Sequence, residues 1–303
     1  MRLYCPTWLC EPEHDRFELD SGVTMSSNTM EVLPSGAPVG AEIRGVNLSG
    51  PLDDSTFARI RDAFDRYGVL VFRNQSLAPE KQIEFSRRFG ELEVLPFSRF
   101  TLPGHAEVLL ITNLKDGDRH IGIHDAGREW HADSTYVPNP SLASFLFAVE
   151  VPFDNEQALG DTLFVPTTGH FEEFDEGRQK LLSSLSSVHR MDARLVTKAG
   201  EQPPQAIHPV IVNHPRTGRK CLFVNEGRTV EFVGMDSDES RVLLRNLLEK
   251  LREPHRIYRH RWRVGDLLMW DNIGVQHQAT HNYQWPKHRR LMHRTTVKGQ
   301  PLC

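Results

Sequence analysis

Trp130-His131-Ala132-Asp133-Ser134-Thr135-Tyr136 is the stretch on which the reading of this chain turns. On an extended backbone the side-chain period of two sends His131 and Asp133 to one face, their Cα atoms about 6.5 to 7 Å apart, so both can reach one ion. A further imidazole arriving from elsewhere would complete one face of an octahedron and leave the other positions to substrates, the arrangement of non-haem Fe(II) oxygenases. His277 is the candidate, because it follows a compact aromatic and acidic turn, Gly265-Asp266-Leu267-Leu268-Met269-Trp270-Asp271-Asn272. In a chain with 15 histidines an isolated His-x-Asp is ordinarily a surface or core feature. Pairing with His277 in this context lifts the metal reading above the bland one.

Outward from the motif, short β-rich runs dominate: 108–112, 129–134, 142–151, 162–165, 209–213, 221–225, 257–264, 267–270 and 290–298. Helical spacing is found before them. Phe57, Ile60 and Phe64 recur along 54–67 and stop at Gly68, and 79–89 opens on Pro79 and closes at Gly90. Between these helices 69–72 reads as a buried strand, and 41–44 as a short one. Later, Leu244, Leu247, Leu248 and Leu251 form the stripe of another helix. The expected fold is mainly β with flanking helices, a double-sheet jelly roll.

A chain of 303 residues can bury a full core, and one elaborated domain over 31–303 is expected, preceded by an extension over 1–30. That extension carries Glu11, Glu13, Asp15, Arg16 and Glu18 where a secretory signal needs an apolar run. It reads as a loosely ordered tail, or as sequence upstream of a later start at Met25 or Met30. Basic and acidic residues number 36 and 40, a net charge of -4 without blocks of one sign, which points to neither a nucleic-acid nor a membrane partner. Cys5, Cys10, Cys221 and Cys303 are too scattered for a disulfide framework or a Cys-x-x-Cys zinc site, so a reducing cytoplasm is expected.

Joined by Gly160-Asp161-Thr162-Leu163-Phe164, His214-Pro215-Arg216-Thr217-Gly218-Arg219-Lys220 and Arg289-Arg290-Leu291-Met292-His293-Arg294, these motifs come in a familiar order. From about residue 36 onward the chain resembles the taurine dioxygenase and aryloxyalkanoate (2,4-D) dioxygenase family of Fe(II), 2-oxoglutarate-dependent oxygenases. The resemblance implies a double-stranded β-helix (jelly roll, cupin-like) core in which His131, Asp133 and His277 hold iron. It also implies that Thr162 and Arg290 bind 2-oxoglutarate, Arg290 clamping the distal carboxylate. Arginine can grip a carboxylate through two parallel hydrogen bonds, and a threonine hydroxyl adds a donor without further charge. The implied reaction consumes O2 and 2-oxoglutarate, releases succinate and CO2, and hydroxylates a small anionic organic acid. Hydroxylation at a carbon bearing oxygen or sulfur lets the product collapse with C–O or C–S cleavage.

Alternation along 290–298 turns Arg290, Met292 and Arg294 to one face, and a second inward cation calls for an anion. The resemblance assigns to Arg294 the acid group of the primary substrate. Leu95, Phe97 and Phe100 follow Phe89-Gly90-Glu91-Leu92 where the taurine branch has a polar run, which favours an apolar or aromatic acid over taurine. Segment 116–127 reads as a lid or as an ordinary surface loop. Trp270, Asp271 and Asn272 are expected to shape the turn that presents His277, and His208, His214, His260 and His281 to have surface or packing roles. Relatives of this kind imply a homo-oligomer, a dimer or tetramer. Two rival readings use the same three ligands or the same fold: a zinc hydrolase acting through a metal-bound water, and a cupin-like binding protein without turnover.

Overall fold

Asp53 starts the first helix, α1 (Asp54–Tyr67), by accepting the Thr56 backbone N–H at 2.9 Å. Gly68 ends it in the left-handed region, φ 66°, where its N–H reaches the Phe64 carbonyl and a side chain would be strained. Ile60, Ala63 and Phe64 form its buried stripe. Helix α1 is the crossover between strands Ala41–Arg44 and Val69–Phe72, which pair parallel, as strands joined through a helix can. The second helix, α2 (Pro79–Arg87), has proline in its first turn, where a missing N–H costs nothing. The computed structural model describes residues 29–94, 99–125, 127–193 and 200–302.

An eight-stranded sheet carries the molecule, in the order Glu31–Pro34, Ala41–Arg44, Val69–Phe72, Leu267–Asp271, Ala143–Glu150, Leu291–Val297, His105–Thr112, Thr101–Leu102. Alternation divides its side chains between two cores. Leu70, Phe72, Phe145, Phe147, Leu267 and Met269 meet Ile60, Phe64, Ile83 and Phe85 of α1 and α2. Val69, Val71, Leu146, Leu268, Trp270 and Met292 face the other way, onto Phe164, Trp262 and Val275. Phe164 and Val275 belong to a three-stranded sheet, Tyr258–His260, Thr162–Pro166 and Val275–Ala279, so the second core lies between sheets. Helix α2 also fastens the strand Leu291–Val297 from behind: Gln82 donates to the His293 carbonyl at 2.9 Å, and the Ser86 and Thr295 hydroxyls are 2.7 Å apart. Helices α3 (Glu176–Ser184) and α4 (Ser237–Leu251) share a further apolar cluster, in which Leu243, Leu247, Leu248 and Leu251 are buried and Leu244 only partly so. Strand outweighs helix, as expected.

One expected strand is absent. Along 129–134 only His131 pairs, through a single antiparallel bridge to His277, and the chain then turns with Ser134 at φ 57°. Buried side chains, Oδ1 of Asn225 and of Asn272, accept the amides of Ala132 and Asp133 that a neighbouring strand would otherwise have bonded. The expected run 209–213 likewise splits into Gln205–Pro209 and Ile211–Asn213, paired with different partners. Cys5, Cys10, Leu95, Phe97, Cys303 and most of the extension lie outside the described residues. Among the described residues no helix is long and apolar enough to cross a membrane.

Candidate metal centre

His131 and His277 exchange both backbone hydrogen bonds, 3.1 and 2.8 Å, which brings their imidazoles to 4.2 Å between centroids. Asp133 reaches the same place from the following turn, one carboxylate oxygen 3.9 Å from Nε2 of His131. One candidate ligand atom from each of the three residues lies within 4.8 Å of the others. Nδ1 of His131 faces the Glu129 carbonyl at 2.9 Å and carries the proton there, leaving Nε2 as a free donor pair. Trp270 packs against the His277 ring at 4.8 Å, and Nδ1 of His277 is buried with no hydrogen-bond partner among the described residues.

Protonation states suit a cation. Burial drives the imidazole of His277 down to about 3, helped by the neighbouring His131, and burial lowers His131 as well. For Asp133 burial acts in the opposite sense, raising the carboxyl, but Arg294 above all, then the two histidines and the Ser144 hydroxyl, outweigh it and hold the group below the usual carboxylate range. At neutral pH the imidazoles are uncharged, so Arg294 is the lasting contributor. Metal ligands must be deprotonated, and all three of these are. The donor set of two neutral nitrogens and one carboxylate fits a divalent first-row ion.

The same depressed histidines set a pH dependence. His277 and His189 are pushed to about 3 and His293 to about 4, each chiefly by burial. Unfolded histidine takes up its proton near 6.5. Between those values the unfolded chain binds more protons, so stability rises with pH through the window and is complete above about 6.5. The melting temperature of the metal-free protein is therefore expected to fall steadily as pH drops from 6.5 to 4. A flat profile in thermal melts across that range would contradict it.

Beside the ligands a cavity opens between the sheets, with Thr162, Arg290 and Arg294 in its wall. Arg290 is 4 % exposed and has no carboxylate partner among the described residues. Its guanidinium lies 5.8 Å from the centre of the Tyr283 ring, and its Nε makes no hydrogen bond to the described residues. Burial lowers its pKa, opposed by Tyr283. Gly160, at φ 77°, leaves room here: a Cβ would come within 3.0 Å of Tyr283 and 3.3 Å of Nε of Arg290. Thr162 accepts from Nε1 of Trp262 at 3.1 Å, which leaves its own hydroxyl proton to donate. A buried cation facing a cavity and a free hydroxyl donor are a fit for a carboxylate.

Arg294 differs from expectation. It faces inward as alternation requires, but it already has an anion, since its Nη1 lies 3.3 Å from Oδ1 of Asp133. The premise of an unpaired second cation therefore falls. Its Nε is buried without a partner among the described residues, and a guanidinium carries five donors, so capacity remains. Segment 116–127 is tied down in part: Lys115–Asp116 and Arg119–His120 form a hairpin, and Ile123 exchanges backbone bonds with the strand His105–Thr112. Ile123, His124 and Gly127 then form cavity wall. His281, given no site role from sequence, also lines the cavity, whereas His208, His214 and His260 are buried rather than on the surface. Asn225, Ser144 and Tyr283 were not legible as site neighbours, because only the tertiary fold brings them here.

Two imidazoles and an ionised carboxylate, beside a cavity with the buried Arg290 in its wall, are a donor set that could hold one divalent ion. The family model described as taurine catabolism dioxygenase TauD, TfdA family matches residues 31–296, and the chain belongs to this family. It is an Fe(II)- and 2-oxoglutarate-dependent dioxygenase in reaction class. Pentalenolactone F synthase of Streptomyces arenae is 33% identical over 284 residues, 87% of this chain and 93% of that protein. The (S)-phenoxypropionate/alpha-ketoglutarate-dioxygenase of Sphingobium herbicidovorans is 32% identical over 293 residues, covering 91% and 97%. Among solved structures a taurine dioxygenase from Burkholderia xenovorans superposes with a TM-score of 0.78 at 30% identity, covering 90% of each chain.

Proposed function

We propose that this enzyme hydroxylates a small organic acid, a sulfonate, an aryloxyalkanoate or similar, the product collapsing with C–O or C–S cleavage where the hydroxylated carbon bears oxygen or sulfur. Substrate, 2-oxoglutarate and O2 go to hydroxylated product, succinate and CO2. The observation that carries this reading is the convergence of His131, Asp133 and His277 beside Arg290, a buried cation without an acid partner among the described residues. His131, Asp133 and His277 are the metal ligands, Arg290 and Thr162 the residues for 2-oxoglutarate, and Arg294 the contact for the primary substrate's acid group.

Iron and 2-oxoglutarate, once bound, supply the oxidising chemistry, and no general base is required of the protein. The chain's own residues orient and exclude. Arg290 offers two parallel donors to the distal carboxylate and Thr162 adds its hydroxyl, fixing the cosubstrate's direction. Arg294, held by Asp133, keeps donors in hand for a second acid. Ile111, Ile123, Leu146, Trp270 and Ala279 supply apolar wall beside the polar Thr112, His124, His281 and Tyr283, and that apolar share supports an apolar or aromatic acid. A hydrolytic zinc centre is disfavoured, since it gives no reason for a buried Arg290 with no acid partner among the described residues, and a binding module without turnover is disfavoured by relatives named as dioxygenases.

The reading includes a single domain over 31–303 with a double-stranded β-helix core, a homo-oligomer (dimer or tetramer), a cytoplasmic location, for which four scattered cysteines speak, and no nucleic-acid or membrane partner. The test is a screen of sulfonates, aryloxyacids, sulfate esters and amino acids for succinate formed only when substrate is present. Succinate with an apolar acid is the expected outcome. Its absence across all classes, from protein loaded with Fe(II), would overturn the substrate assignment.

A further inference from the structure

Asp133 stands in a turn, so no sheet ladder aims its carboxylate. Its surroundings do so one bond at a time. The amides of three consecutive residues are each taken by a different group: His131 by the His277 carbonyl, Ala132 by Oδ1 of Asn225 at 2.6 Å, and Asp133 by Oδ1 of Asn272 at 3.2 Å. Asn272 does more than hold backbone. Its Nδ2 donates to the Ser144 hydroxyl at 3.0 Å, and that hydroxyl donates to Oδ2 of Asp133 at 2.7 Å.

The direction of every bond is forced. An ionised carboxylate only accepts, so Ser144 donates to it and has lone pairs left for Asn272. Asn272 must then turn its NH2 toward Ser144 and its oxygen toward two pure donors, the Asp133 amide and Nε1 of Trp270 at 2.9 Å. Ser144 and Asn272 are both fully buried, so no water competes. Oδ2 of Asp133 is thereby engaged by Ser144, while Oδ1, 3.3 Å from Nη1 of Arg294, is the oxygen 3.9 Å from Nε2 of His131. Asn272 also precedes His277 on the same strand–turn–strand segment, with its own amide bonded to the Leu142 carbonyl at 3.0 Å.

From this we infer that Asn272 and Ser144 are positioning residues that present Asp133 to the metal as a one-oxygen ligand and tie its aim to the segment bearing His277. The inference rests on the proposed metal centre. With Ser144 gone, the second carboxylate oxygen is free to swing toward the ion and take a position that a reactant needs.

The test is titration of the metal-free, full-length protein with Co(II), read by visible absorption. Ser144→Ala is expected to weaken Co(II) binding about ten- to a hundredfold, the range for an outer partner of a ligand, and to shift the Co(II) spectrum. Ser144→Thr, which keeps the hydroxyl, is expected to restore both, and Asn272→Ala to weaken binding at least as much as Ser144→Ala. Parental affinity and spectrum in folded Ser144→Ala, or equal losses in Ser144→Ala and Ser144→Thr, would overturn the positioning role while leaving the metal centre intact. A parent chain that binds no Co(II) would overturn both.

Discussion

Asp133→Ala is expected to abolish substrate-dependent succinate formation, with a loss above about 10³-fold in turnover. Removing a group that only orients a ligand costs about ten- to a hundredfold in metal affinity or activity, and a ligand itself must exceed that. Here two effects add. The centre loses its one negative charge, and Arg294, whose Nη1 now lies 3.3 Å from that carboxylate, is left facing the imidazoles uncompensated. A cation is then repelled from the place that formerly attracted it. Because the Arg294 side chain is 22 % exposed, water screens much of the cost to folding, and the metal-free variant is expected to melt within a few degrees of the parent. A titration in which Asp133→Ala binds Fe(II) as the parent does, with more than a tenth of its turnover, would contradict the assignment.

Arg290→Met has the second large effect, and its sign differs between the two quantities measured. In the metal-free protein Arg290 is a buried cation with no acid partner among the described residues, so replacing it by an apolar side chain of similar length is expected to leave the melting temperature unchanged or to raise it. In the role proposed for Arg290 the same change would remove two charge-assisted hydrogen bonds to 2-oxoglutarate, each about 1.5–3 kcal/mol. At about 1.4 kcal/mol per decade this is a rise in KM of about 10²- to 10⁴-fold. Added 2-oxoglutarate should raise the melting temperature of the parent in the presence of Mn(II) and leave that of the variant unmoved. An unchanged KM, or a variant that unfolds far below the parent, would show that Arg290 serves the fold and not the cosubstrate.

How much of this was legible beforehand depends on where the determining groups sit in the chain. Helix α1 and the strand Val69–Phe72 came out with the limits expected, since Asp53, Gly68 and the Phe57, Ile60 and Phe64 spacing are all local signals. The three residues proposed as ligands could be singled out because His-x-Asp and the turn before His277 are local as well, and the fold brings their candidate ligand atoms within 4.8 Å of one another. The strand expected over 129–134 was not there, for the groups that bond its amides, Asn225 and Asn272, lie about a hundred residues downstream or more. Arg294 was correctly turned inward by period-two alternation, but alternation says nothing about what it meets, and Asp133 is 161 residues away. His214 is a similar case. Its Nδ1 accepts the amides of Arg216 and Thr217 within its own turn, a local pattern, while its Nε2 bond to Asp271 at 2.7 Å needs the tertiary fold.

The central claim is a ferrous centre on His131, Asp133 and His277 with an anchored keto acid beside it. Anaerobic addition of Fe(II) and then 2-oxoglutarate to the metal-free protein, followed by visible spectroscopy, tests it most directly. The expected result is a weak charge-transfer band that saturates at one equivalent of each, is absent from Asp133→Ala, and requires far more 2-oxoglutarate in Arg290→Met. A protein that binds Fe(II) yet develops no band at any 2-oxoglutarate concentration would contradict it.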